Sequence, residues 1–200
     1  IDAELIPLTS IEGARAILAG DQRIVIWFPS GSLAEKLAAD DWKAKFGKSP
    51  IFLKKEMAFT PMVFVMWESR YEYFVKKYGK VNFKTIVSAL ETKGWSEIAA
   101  KPEWGSFDFA LADPVHSLNG LTTLLLLANE YYQKPQALSM ADVQSPEFQQ
   151  FLKRFKLRGT MLGPTTNDLI QQMLIQGPPS IDATFLYENI AVDYLSDAEG

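Results

Sequence analysis

Four loops of this sequence place small hydroxyl or amide side chains where a helix is predicted to begin. They are Thr9-Ser10, Ser30-Gly31-Ser32, Ser117-Leu118-Asn119-Gly120 and Thr165-Thr166. Such side chains satisfy the free backbone N–H groups of a first helical turn, so each loop alone is typical of an ordinary helix cap. A helix N-terminus also carries partial positive charge and free donors, which can hold an anion without Arg or Lys. The recurrence of these loops therefore indicates a binding site, provided that the loops converge.

The elements that would position these loops follow from the apolar patterns. Strands are predicted at 3–8, 23–28, 107–111 and 183–187, and helices at 10–19, 32–46, 71–77 and from Asn82, Ser117 or Asn119, Ser145 and Thr165. Strands alternating with helices are typical of an α/β fold with mostly parallel sheets flanked by helices. In such sheets, ligands bind beyond the carboxyl ends of the strands, where the hydroxyl-rich loops would gather.

Three stretches carry more specific predictions. The apolar run 23–28 is expected to be a central strand buried on both faces. Ser32 and Glu35 have the spacing of a capping box at the start of a helix. The apolar run from Met57 to Trp67 is long for one strand and contains Pro61, so we expect either two strands joined at Thr60-Pro61 or one strand that changes sheets there.

Composition narrows the class of protein. The chain has 200 residues, 48% of them hydrophobic and 22% charged, which is typical of a globular protein. Its net charge of −4 argues against a nucleic-acid partner, and we expect the basic cluster at 153–158 to cover the exposed face and C-terminal end of a helix. The absence of Cys excludes disulfides and thiolate metal sites.

Catalytic and metal chemistry find little support. His116 is the single histidine, with no second His or Cys to complete a metal site, so we expect it to face solvent or to pack in a loop. No serine lies in a nucleophile-elbow motif, and no glycine-rich phosphate loop is present. Glu188 beside Tyr187 could act as a general base, but a capping carboxylate is the preferred interpretation. We therefore predict a protein that is not an enzyme and uses no cofactor or metal.

The order of motifs resembles the extracellular solute-binding proteins of the type II periplasmic-binding fold, in the bacterial branch often linked to a von Willebrand factor type A domain. The resemblance covers nearly the whole chain, and it rests on Gly13-Ala14-Arg15-Ala16, Val25-Ile26-Trp27-Phe28-Pro29-Ser30-Gly31-Ser32, Phe59-Thr60-Pro61-Met62-Val63, Met66-Trp67-Glu68, Trp104-Gly105, Asp113-Pro114, Ser117-Leu118-Asn119-Gly120, Thr165-Thr166, Gly177-Pro178, Ile181-Asp182-Ala183 and Tyr187-Glu188-Asn189.

The resemblance implies two α/β lobes that close on a ligand in the cleft between them. Lobe I would comprise residues 1–58 and 188–200, lobe II would comprise 59–187, and the chain would cross between them near 57–67 and 183–190. One wall of the site would be lined by Ser10, Ser30 and Thr60. The other wall would be lined by Ser117, Asn119, Gly120, Thr165 and Thr166, with Tyr187 at the hinge.

Two departures from the family pattern accompany the resemblance. Relatives begin with a further strand and a Ser/Thr-rich loop that supplies a ligand contact, so the first lobe is expected to be truncated here. Leu118 also stands where relatives often have a polar residue. The site is thus expected to be incomplete or adapted to another ligand.

The expected function is non-enzymatic binding of a small solute, an anion or a carboxylated molecule, in a periplasmic or extracellular protein that is membrane-tethered in its parent. The expected partners are a von Willebrand factor type A domain in the parent chain or a membrane transporter. The alternative is a protein-interaction or scaffold domain that has lost its ligand. Its contacts would come from exposed aromatic residues among Trp42, Trp95, Trp104, Tyr131 and Tyr132.

Overall fold

The computed structural model describes residues 3–134, 138–157, 162–163 and 165–198, with the backbone alone at 153–157, 162–163 and 196–198. The described part of the chain is a mixed α/β structure, rich in helices, around a small sheet. Its elements are α1 (Ser10–Ala19), α2 (Ser32–Phe46), β1 (Met62–Met66), α3 (Glu68–Tyr78), α4 (Phe83–Leu90), α5 (Trp95–Ala99), a 3₁₀ turn (Pro102–Trp104), β2 (Phe109–Ala112), α6 (Leu118–Tyr132), α7 (Met140–Gln144), α8 (Pro146–Leu157), β3 (Leu162–Gly163), α9 (Thr166–Gln176), β4 (Ala183–Tyr187) and α10 (Glu188–Ala198).

The sheet has the strand order β1-β4-β2-β3. β4 runs parallel to β2, with Phe109 opposite Ala183, and β2 runs parallel to β3. β1 is antiparallel to β4, with Met62 opposite Tyr187. The prediction of parallel strands therefore holds for β2, β3 and β4, while β1 makes the sheet mixed.

Successive side chains of the central strands belong alternately to two apolar clusters on opposite faces of the sheet. Phe109 and Phe185 point to one face, where they pack with a cluster that includes Phe74, Trp95 and Phe107. Ala110, Ala112 and Leu186 belong to the other cluster, which contains Leu169, Ile170 and Met173 of α9. This is the two-residue period of a strand buried on both sides, and it explains why β2 is wholly apolar.

The strands predicted at 3–8 and 23–28 are wrong, because neither stretch has regular secondary structure. Val25 is 86% exposed and Phe28 is 71% exposed, so this run is not a buried central strand. Phe52 and Phe59 are also almost fully exposed. An apolar run forms a strand only where neighbouring strands supply hydrogen bonds, and no described strand lies beside these stretches.

Two further predictions need correction. The run 57–67 forms one strand that begins only at Met62, after Pro61, so neither a second strand at 57–60 nor a strand changing sheets is present. The cap of α2 is Gly31, which makes no side-chain hydrogen bond, so Ser32 and Glu35 do not form the predicted capping box. Since Ser32 lies inside the helix, its hydroxyl cannot occupy the cap position.

The helices with strong start signals are confirmed. Thr9, not Ser10, caps α1 through a capping box with Glu12, and Gly20 ends the helix in a left-handed conformation. Asn82, Ser117 and Thr165 cap α4, α6 and α9 as predicted. The short helices α5 and α7 were not anticipated, nor was α10, which runs from Glu188 to Ala198. The side chains of the basic cluster at 153–158 lie outside the described residues.

Candidate functional site

Three hydroxyl groups that are distant in the sequence meet at the start of α1. The backbone N–H of Ser30 donates to Ser10 Oγ at 2.9 Å, and the two Oγ atoms are also 2.9 Å apart. Ser30 Oγ lies 3.4 Å from the hydroxyl oxygen of Tyr187, which ends β4. The loop before α2, the first residue of α1 and the end of a central strand therefore share one polar cluster, here called the Ser30 cluster (Ser10, Ser30 and Tyr187).

A second polar group forms where α6 and α9 begin. Ser117 Oγ lies 3.3 Å from Thr166 Oγ1, and it accepts the backbone N–H of Gly120 at 3.4 Å. Ser117 is 6% exposed and Thr166 is 8% exposed. Two helix N-termini, with their partial positive charge, thus approach one another in a region that excludes water.

Gly120 fixes the position of α6 on the sheet. A Cβ atom at this position would come within 2.0 Å of the carbonyl oxygen of Ala112, the last residue of β2. Only glycine permits this approach, so the first turn of α6 lies directly against the carboxyl end of β2. This is the edge of the sheet where the sequence placed the site.

Asn119 is the unusual residue of this group. It is 1% exposed, and neither its Nδ2 nor its Oδ1 has a hydrogen-bond partner within the described residues. Nearly all buried polar side-chain atoms in native proteins are paired, because an unpaired amide forfeits its hydration. Asn119 therefore provides a donor and an acceptor that the described protein atoms leave unused.

The two polar groups lie on facing surfaces that touch. A Cβ atom on Gly31 would lie 3.3 Å from Leu118 Cδ2 and 3.9 Å from the Tyr187 hydroxyl. Arg15 on α1 donates to the carbonyl oxygen of Val115, two residues before Ser117, at 3.3 Å. The side chain of Leu118 consequently occupies the space beside Gly31, between the Ser30 cluster and the start of α6.

Thr60 and Thr165 make their hydrogen bonds outside these two polar groups. Thr60 Oγ1 donates to Asn189 Oδ1 at 3.0 Å and accepts the Asn189 backbone N–H at 3.3 Å, which ties the residue before Pro61 to the first turn of α10. Thr165 forms a capping box with Asp168 at the start of α9. The structure thus brings Ser10, Ser30 and Tyr187 together in one group and Ser117, Gly120 and Thr166 in another. Leu118, between Ser117 and Asn119, connects the second group to Gly31.

The titratable groups nearby have hydrogen-bond partners close to them in the sequence. His116 Nδ1 lies 3.0 Å from Asp113 Oδ2 in the loop before α6. The backbone and hydroxyl hydrogen bonds of Thr9 lower the pKa of Glu12. Apart from Arg15, the described donors of the two polar groups are therefore neutral.

A separate polar cluster, which the sequence did not reveal, lies at the start of β4. Asp182 is 1% exposed, and it accepts hydrogen bonds from Trp95 Nε1 at 2.9 Å and from the Asp108 backbone N–H at 2.7 Å. Arg70 Nε lies 3.0 Å from Asp182 Oδ1 in an ion pair. Burial raises the pKa of Asp182 to about 7, against these hydrogen bonds and the charge of Arg70. The only sequence signal was one acidic residue directly before an apolar strand.

Two cavities lie away from the Ser30 cluster. One, of about 290 Å³, is bordered by Arg70, Trp104 and Pro178. The other, of about 220 Å³, is bordered by Trp67 and Tyr194 and has mainly apolar walls. Among the described residues, no group of three acidic or histidine side chains could hold a metal ion. No helix within the described ranges has the length and apolar character needed to cross a membrane.

Comparison of the chain with protein-family models, curated protein sequences and solved structures finds no match.

Proposed function

We propose that this chain is a ligand-binding domain that holds a small solute, an anion or a carboxylated molecule, between the Ser30 cluster and the N-terminus of α6. The observation that carries the proposal is Asn119, whose buried amide has no partner within the described residues. A ligand oxygen would accept from its Nδ2, and the first-turn N–H groups of α6 would add partial positive charge. Such neutral donors suit an acidic protein that binds an anion.

The arrangement of the chain supports two lobes of the type II periplasmic-binding kind, with lobe I at residues 1–58 and 188–200 and lobe II at 59–187. The two expected crossings, 57–67 and 183–190, contain β1 and β4, which are antiparallel neighbours in the sheet. Ser10 and Ser30 lie before the first crossing, whereas Ser117 and Thr166 lie between the two. In this proposal the protein is exported and non-enzymatic, and it works with a von Willebrand factor type A domain or a transporter.

Ligand binding is tested by thermal unfolding with sulfate, phosphate, acetate, succinate and citrate. A ligand at 100 times its Kd adds about 2.7 kcal/mol, which corresponds to a rise in Tm of roughly 5–10 °C for a chain of this size. Asn119→Leu should abolish that rise without destabilising the free protein, because it removes a buried, unpaired amide and keeps a branched side chain.

Asn167→Leu is the matched control. Asn167 occupies the same second helical position in α9 that Asn119 occupies in α6, but it is exposed. This variant should keep the rise in Tm. A panel without any rise would count against solute binding, and an Asn119→Leu protein that responds like the wild type would remove Asn119 from the site.

A second candidate function is a protein-interaction domain that has lost its ligand. It is favoured by the position of Leu118, which fills the space beside Gly31, and by the exposed rings of Phe28, Phe52 and Phe59. Among the five aromatic residues that the sequence nominated, Tyr131 is the one that is exposed, at 38%. Leu118→Ala separates the candidates: in a solute binder it leaves the ligand response intact, whereas an interaction domain responds to no ligand before or after the change.

A further inference from the structure

Arg70 is held rigidly by aromatic rings. It lies in the first turn of α3 and is 4% exposed. The central guanidinium carbon is 3.7 Å from the centroid of the Trp104 ring and 5.1 Å from that of Trp95. A flat guanidinium against an aromatic face is a favourable cation–π arrangement that also fixes the direction of its N–H groups.

The acidic partner of Arg70 leaves one end of the guanidinium unused. Asp182 approaches Nε through its Oδ1, while Trp95 and the Asp108 backbone N–H also donate to the same carboxylate. Within the described residues, no hydrogen bond is found for either terminal nitrogen of Arg70, and the N–H direction of Nε meets no acceptor either. The terminal fork, which matches the two oxygens of a carboxylate, is therefore available.

Arg70 borders an open cavity of about 290 Å³, which is lined by Ser69, Arg70, Glu103, Trp104, Pro178 and Pro179. The indole and the two proline rings offer flat apolar walls, and the guanidinium is the buried charge. Glu103 is on the rim with its side chain 59% exposed, and Lys101 lies 3.8 Å from its carboxylate. The negative charge of Glu103, which would repel an anionic ligand, is thus solvated and partly neutralised by Lys101.

We propose that this cavity is a second ligand site, separate from the Ser30 cluster, that takes a small carboxylate with a flat apolar body, such as an aromatic acid. The carboxylate would accept two parallel hydrogen bonds from the terminal nitrogens of Arg70. The apolar body would lie between Trp104 and the prolines. This site requires neither Ser30 nor Asn119, so its test does not depend on whether the proposed function is correct.

Three probes of nearly equal shape test the site: benzoate, benzamide and benzamidine, which are anionic, neutral and cationic. Each is titrated to about 20 mM while the NMR signals of the Arg70 side-chain N–H groups and the Trp104 indole are followed. Benzoate should give a saturable shift at both residues and bind at least about tenfold more tightly than benzamide, as expected for charge-assisted hydrogen bonds. Absence of saturation with benzoate, or tighter binding of benzamidine, would overturn the proposal.

Two variants sharpen the result. Glu103→Gln removes the rim carboxylate and should tighten benzoate binding about threefold, since a partly screened like charge is lost. Arg70→Lys keeps a charge for Asp182 but loses the fork, and it should weaken binding at least about tenfold. If Arg70→Lys fails to fold, Glu103→Gln alone tests the proposal. Weaker binding of benzoate to the Glu103→Gln variant would contradict an anion site. Asn167→Leu, at an exposed position outside both sites, is the control that should leave the benzoate-induced shifts of Arg70 and Trp104 unchanged.

Discussion

Asp108 couples the folded state to pH. Burial raises its pKa to about 6, and a hydrogen bond from the Ser106 hydroxyl opposes the shift only in part. A carboxyl group with a raised pKa in the folded state contributes stability that is complete below its unfolded pKa and is lost as pH rises through the folded value. The fold should therefore lose stability between about pH 4 and pH 7 on account of this residue.

Asp108→Asn should flatten this part of the pH profile. The wild type is expected to lose roughly 1–2 kcal/mol over that interval from Asp108, after allowance for solvent around a half-buried group. Urea unfolding at a series of pH values measures the effect. The Asp182 carboxyl, whose pKa is raised to about 7, loses its contribution over an overlapping interval that ends at about pH 8, so the variant should keep part of the wild-type slope. A variant with the same slope as the wild type below pH ~6 would contradict the assignment to Asp108.

The substitution of Gly120 tests how closely the helix α6 packs against the sheet. Gly120→Ala would gain about 1 kcal/mol from helix propensity, but its Cβ would come within 2.0 Å of the backbone oxygen of Ala112. Backbone cannot yield as a side chain can, so overpacking outweighs propensity, and we expect a net loss of about 2 kcal/mol in urea unfolding.

Gly31→Ala is the matched substitution. Its Cβ would meet the end of the Leu118 side chain at 3.3 Å, which can shift by a rotamer change, and would lie at an ordinary 3.9 Å from the Tyr187 hydroxyl. The stability of this variant should stay within about 0.5 kcal/mol of the wild type. Equal losses in both variants would mean that α6 is not held against β2 as described.

At the level of elements, the sequence predicts what is decided locally. Asn82, Ser117 and Thr165 begin their helices as expected, because a cap depends on residues three positions away. The stretch 23–28 fails because a strand depends on distant partners, and its apolar composition alone cannot supply them.

The candidate sites also contain residues that the sequence could predict and residues that it could not. The hydroxyls of Ser10 and Ser30 could be nominated from their positions at predicted helix starts, and they do meet. The terminal fork of Arg70 could not be nominated, because its setting combines α3, the 3₁₀ turn and the loop before β4. No local pattern of sequence encodes that combination.

The whole molecule divides into a well-packed part and an exposed part. Both apolar clusters are built from residues at or after Met62, whereas Leu5, Val25, Phe52 and Leu53 are each more than 80% exposed. No hydrogen bond from the backbone N–H groups of residues 25–28 and 52–59 is found within the described part of the chain. Apolar side chains and free backbone donors thus coincide in the same stretches.

Hydrogen exchange should reveal this division. Amides of β2, β4 and α6 are expected to exchange with protection close to that of global unfolding, while those of 25–28 and 52–59 should exchange within seconds. Mass spectrometry of peptic fragments resolves both regions, with the unfolded chain in urea as the reference. Strong protection of 52–59 that disappears on dilution would instead show that these stretches are covered by association between chains.

The hydrogen bond between Ser30 and Tyr187 also has a consequence for synthesis on the ribosome. The two residues are 157 positions apart, so Ser30 leaves the ribosome well before its partner is made. At ordinary rates of translation that interval is roughly 8–30 s. Throughout it Ser10 and Ser30 can pair only with each other, so the Ser30 cluster is completed only after β4 has been synthesised.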